Sequence, residues 1–160
     1  MARRHNIFEK HGDLRPSAMA TVAERRFDDA EALKNTHQNA RANGVAYLVG
    51  FVIEILLKAR LVSKFPETAK KRQHQVADGE RDLWRLIWRE HDLEGMLSWL
   101  PELEAAMQKQ GEEDGQRYFD NLKYICATWT IQARYSSYTI NMGEAADLLE
   151  RVQALKELLK

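Results

Sequence analysis

Residues 44–57, GVAYLVGFVIEILL, constrain this chain more than any other stretch. The segment is apolar except for Glu54. A run of this length without proline reads as a helix. A helix that is apolar on every side lies buried at the centre of its domain. It is too short to span a bilayer, which takes about 20 apolar residues, and Glu54 would stand inside the span. The sequence therefore predicts a soluble helical domain built around one central helix with a single buried acid. Burying a carboxylate is costly unless something pairs with it, so the partner of Glu54 becomes the first question.

The remaining bounds are permissive. A chain of 160 residues fits one domain with a sizeable core. Lys plus Arg and Asp plus Glu are 24 each, so the net charge is zero and any nucleic-acid or acidic-surface site must be a local patch. A single cysteine, Cys126, excludes an internal disulfide and a cysteine-based zinc site. With no apolar core for a signal peptide in the first residues, this fits a cytoplasmic protein without membrane attachment.

Periodicity gives the order of elements. Residues 1–15 are basic, with Arg3, Arg4, Lys10 and Arg15, and read as an N-terminal arm before a domain over 16–160. A first helix is predicted from about Pro16 to about Thr36, with Met19, Val22, Ala23, Phe27, Ala30 and Leu33 on one face. The central helix follows from Gln38 or Asn39 to about Lys64, where Pro66 stops it. Lys58, Arg60 and Lys64 suit its C-terminal end. Residues 65–79 read as the longest loop. Its Lys70, Lys71 and Arg72 are the best local candidates for contacting phosphate. An amphipathic segment over 80–90 carries Trp84 and Trp88, which read as core or dimer interface. Asp92 is placed to cap a helix over 93–100. Pro101 opens another short segment, and GEEDG at 111–115 reads as an acidic turn. A long helix is predicted from about Gln116 to about Tyr135. It carries two stripes, Tyr118, Leu122, Ile125, Trp129 and Ala133 on one, Tyr124, Thr128, Ile131 and Tyr135 on the other. The last helix begins at Asn141 with Glu144 in a capping-box arrangement. No segment alternates with period two, so the fold class is an all-α helical bundle with four main helices and several short ones, up-and-down in arrangement.

Most catalytic signatures are absent from the sequence. There is no glycine-rich phosphate loop, no nucleophile elbow and no Glu-x-x-His pair for a di-metal bundle. The five histidines lack zinc spacing, so neither metal nor cofactor is expected.

What remains is a separated set. Tyr47, Gly50, Glu54 and Lys58 lie on the central helix, His91-Asp92-Leu93 follows, and Trp129 comes with Arg134-Tyr135. The pieces AYLVGFVIEILLKARL (46–61), HDLEGML (91–97) and WTIQARY (129–135), with the amphipathic final helix, resemble the HEPN family. These are small helical domains of prokaryotic defence and toxin–antitoxin systems and of some eukaryotic proteins. The resemblance covers about Ser17 to Lys160.

It implies a four-helix bundle that is often a dimer, associated with RNA or nucleotide, and paired in some systems with a nucleotidyltransferase-type partner. Many members are metal-independent RNases. Their site uses an Arg followed four to six residues later by a His near the end of the penultimate helix. The His handles the proton of the 2′-hydroxyl while the Arg stabilises phosphorane charge. Arg134 stands where the family's Arg would be, but residues 135–141, YSSYTIN, contain no histidine. The implied function is thus a dimeric, nucleotide- or RNA-associated component without the usual RNase histidine. The alternatives are an endoribonuclease using Arg134 with Tyr138 or His91 in place of that histidine, and a purely structural interaction module. Arg85 and His91 also have the family's spacing, but in the wrong helix, and His91 reads as a capping or packing residue.

For Glu54 the expected partner is Arg134, whose planar fork suits a carboxylate. The pair would tie the central helix to the penultimate one, or would hold a phosphate with Glu54 orienting Arg134. Lys58, one turn from Glu54, is within reach of it and can also extend its head to solvent.

Overall fold

The computed structural model describes residues 15–129 and 140–160. The arm over 1–14, together with Arg134 and Tyr138, lies outside the described residues. Among the described residues the chain is an all-α helical bundle with no strand. Four long helices carry it: α1 (Pro16–Lys34), α2 (Ala42–Lys64), α7 (Glu112–Thr128) and α8 (Met142–Leu159). Four short ones, α3 (Pro66–Lys70), α4 (Arg81–Trp88), α5 (Leu93–Ser98) and α6 (Glu102–Gln108), lie between α2 and α7 in the sequence. None of the described helices is long and apolar enough to cross a membrane.

Helix α2 occupies the centre because its apolar residues leave it no solvent face. Val45, Val49, Val52, Ile53, Leu56, Leu57 and Leu61 are all buried. They meet Ala23, Phe27 and Ala30 of α1, and Ala145, Leu149, Val152 and Leu155 of α8. Helix α7 adds Leu122, Ile125 and Cys126. Burial pushes the Cys126 thiol up to about 12, with the charges of Glu94 and Asp92 adding to the effect.

The helix ends are satisfied in two ways. Local caps follow the sequence signals. Asp92 accepts from the Gly95 N–H at 2.9 Å, and Asn141 and Glu144 bond each other's backbone N–H at 3.0 and 2.8 Å. Other ends are closed by distant side chains. Arg60 donates to the carbonyls of Leu159 and Leu158 at 2.9 and 3.1 Å, so this α2 cation caps α8 instead of its own helix. Lys64 donates to the Trp99 carbonyl at 2.9 Å beyond α5. Asn39 and Asn43 accept from the N–H groups of Met142 and Ile140 at the entry to α8.

Three expected elements differ. The loop over 65–79 contains α3, because Pro66 is set for the first helical position instead of only ending α2. The indole N–H groups of Trp84 and Trp88 then bond the carbonyls of Lys71 and Ala69 at 2.9 and 3.1 Å, fastening this segment to α4. Helix α7 starts at Glu112, not near Gln116: Gly111 breaks the chain at φ +110°, and the acids of GEEDG suit a helix N-terminus. It also stops at Thr128, since Trp129 is extended, so the expected continuation toward Tyr135 is not helical at Trp129. Of its second stripe, Tyr124 is 57% exposed and Thr128 faces solvent; Ile131 and Tyr135 lie outside the described residues.

Trp129 covers Gly50. A Cβ built on Gly50 would stand 1.9 Å from the indole nitrogen. Alanine would gain about 1 kcal/mol of helix propensity there, but it must displace a buried ring. Gly50→Ala is therefore expected to lower stability in urea unfolding by about 1–3 kcal/mol; a gain in stability would show that the ring is not seated on α2.

Helices α1 and α8 are joined by ions. Lys156 donates to Glu24 at 2.6 Å, and Lys160 also bonds this carboxylate. Lys156 and then Lys160, as hydrogen-bond donors, hold the Glu24 carboxyl below its ordinary value of 4.5. The native state thus binds fewer protons at this group than the unfolded chain. The stability it contributes is complete above pH 4.5 and is lost as pH falls through the lowered folded value. Below that value Glu24→Gln should melt with the parent protein, while near neutral pH the variant should melt earlier.

Candidate functional site

The face of α2 that carries Tyr47, Gly50, Glu54 and Lys58 recurs every three to four residues, so these side chains stack along one side of the helix. Two other segments meet it. His91 arrives from the turn between α4 and α5, where Asp92 caps the next helix and fixes the residue before it. Trp129 arrives from the end of α7. Phe51 lies between them, with ring centroids 6.1 Å from His91, 5.6 Å from Trp129 and 4.9 Å from Tyr47. Of the residues that stood apart in the sequence, Tyr47, Gly50, Glu54, Lys58, His91 and Trp129 form one constellation; Arg134 and Tyr135 lie outside the described residues.

Glu54 is buried, and its carboxylate is paired within the chain. Lys58 Nζ lies 2.8 Å from Oε1. His91 Nδ1 lies 2.9 Å from both Oε1 and Oε2. An ionised carboxylate only accepts hydrogen bonds, so Nδ1 carries the proton and donates. Nε2 is then the ring nitrogen that this contact does not use. The His91 side chain is 36% exposed while that of Glu54 is 4% exposed, so the ring bridges a buried charge and the surface. A carboxylate behind an imidazole in this way can serve proton transfer, and it also welds α2 to the α4–α5 turn.

The expected partner of Glu54, Arg134, lies outside the described residues, as does Tyr138. Among the described residues, Lys58 and His91 stand on the carboxylate. His91 thus does more than the capping or packing role read from the sequence, and the cap itself is Asp92. The signal for His91 was the buried acid: a half-exposed histidine beside a capping Asp is a suitable partner for it. Lys70 and Lys71 are taken up by Glu67 and Glu80 at 3.1 and 2.5 Å, and the Arg72 side chain stands at an exposed position. The Trp129 indole nitrogen is buried and finds no hydrogen-bond partner among the described residues. It lies against Gly50. No group of His, Cys, Asp and Glu among the described residues could hold a metal ion.

Comparison with protein-family models, with curated proteins and with solved structures returns no match.

The Glu54 cluster sets a stability test. Removing the carboxylate leaves Lys58 without its nearest counter-charge in a mostly buried setting. Glu54→Ala should cost about 3–5 kcal/mol in urea unfolding. A double-mutant cycle with His91→Ala should give a coupling of at least about 0.5 kcal/mol. Strict additivity would mean that the contact contributes nothing.

Proposed function

We propose that the chain is a HEPN-like helical protein, acting as a homodimer, that associates with RNA or nucleotide as one component of a defence or toxin–antitoxin pair with a nucleotidyltransferase-type partner. The observation that supports this reading is the contact between Glu54 and His91. It joins two of the three sequence pieces that carry the resemblance, 46–61 and 91–97. Trp129, from the third piece, packs on Gly50 of the first. The half-exposed Trp88 and the exposed Tyr124 supply apolar surface for a second copy, whereas Trp84 is buried in its own chain.

A second reading, a metal-independent endoribonuclease, is favoured by one feature. Glu54 engages Nδ1 of His91, so Nε2 is the nitrogen that would act as a base, the role the family's missing histidine would fill. Arg134 would then stabilise phosphorane charge.

The two readings separate in one assay. Labelled single-stranded RNA incubated with the protein in chelator should be bound and not cut, and light scattering at about 50 µM should give twice the chain mass. Cleavage that disappears in His91→Asn, which keeps a donor for Glu54 but has no Nε2, would replace the first reading with the second. A monomer that binds no RNA would overturn both and leave an interaction module.

A further inference from the structure

Helix α4 carries Arg81 and Arg85 one turn apart, and Arg89 continues the row just past its last residue. At 1.5 Å per residue the three extend over about 12 Å. With Gln73, His74 and the edge of Trp84 they line an open cleft of about 530 Å³, with neither Glu54 nor any other acid among its lining residues.

The three arginines are held differently. Arg81 pairs with Asp78 at 2.5 Å and Arg85 with Glu90 at 2.6 Å, yet their side chains remain 62% and 54% exposed. Exposed pairs of this kind contribute little, so an incoming phosphate competes with them easily. Arg89 is ordered by neutral groups. Its Nη2 donates to Gln73 Oε1 at 2.8 Å, and its guanidinium lies 5.4 Å from the Trp84 ring centroid. Trp84 is itself fixed by its bond to the Lys71 carbonyl. Among the described residues no carboxylate pairs with Arg89. The fork is thus set in place without a carboxylate on it from the described residues.

Arginine forks match phosphate oxygens in geometry as well as charge. A row at one-turn intervals meets successive phosphates of one strand. An open cleft admits a polymer that continues past both ends.

We infer that this cleft binds the phosphodiester backbone of single-stranded RNA. The inference rests on the RNA-associated reading above and gives that reading a place on the molecule. Its test is fluorescence anisotropy with an oligouridine of about 12 nucleotides, titrated over a range of salt. The double variant Arg81→Gln/Arg85→Gln should bind more weakly and lower the slope of log affinity against log salt by about 1.4. The control Arg26→Gln/Arg117→Gln removes the same charge from equally exposed pairs on α1 and α7, and should change neither. Matching circular-dichroism melts ensure that both variants are folded. If the parent protein binds and the α4 variant binds equally well, the cleft is overturned while the RNA reading stands. Equal weakening by the control would show general charge attraction and overturn the cleft. Duplex RNA bound as tightly as the single strand would overturn the single-strand assignment. A parent protein that binds no RNA overturns the cleft and the wider reading together.

Discussion

The structure depends on one charge placed where charge is expensive. Glu54 sits on a helix whose other neighbours are buried aliphatic side chains, and an unpaired carboxylate there would cost several kcal/mol. Its two partners among the described residues come from different sequence distances. Lys58 is supplied by the same helix one turn on, so it is always within reach once α2 forms. His91 is supplied by tertiary folding and is present only when the α4–α5 turn docks. The carboxylate therefore converts a local helix into a demand for one particular packing of the chain around it.

The short helices are ordered by similar cross-links instead of by cores of their own. Helix α3 has five residues, too few to be stable alone. It is held because two indole N–H groups bond its carbonyl end. The C-terminus of α8 is closed by Arg60, and the turn after α5 is tied back by Lys64, which also pairs with Glu102 at 2.6 Å. Each bond crosses many residues of sequence, so the bundle is fastened at its ends as well as packed at its centre.

This arrangement puts two chemistries side by side on one short stretch. Arg89 closes the arginine row of α4, and two residues later His91 reaches the buried carboxylate. A position fixed on one side by Glu54 gives the arginines a rigid mount, since α4 cannot shift without disturbing the histidine. A phosphate-facing surface benefits from such a mount, because ordering its forks in advance leaves less entropy to lose on binding.

How much of this the sequence carried can be judged residue by residue. Binary pattern and length determined that the chain is helical, that residues 44–57 form its centre and that Glu54 is buried, because these follow from local apolar periodicity. Asp92 and Asn141 were legible as caps because a cap bonds an N–H only a few residues away. The end of α7 at Thr128, the helix inside 65–79, the seating of Trp129 on Gly50 and the closure of α8 by Arg60 were not legible. Each is set by groups far apart in the chain, and spacing along a sequence does not encode which distant surfaces meet. The same limit governs Glu54. The sequence by itself determined that a buried acid needs a partner. Only the tertiary structure decided that His91 joins Lys58 on it, because a hydrogen bond requires a donor within about 3 Å, and that distance exists only after folding.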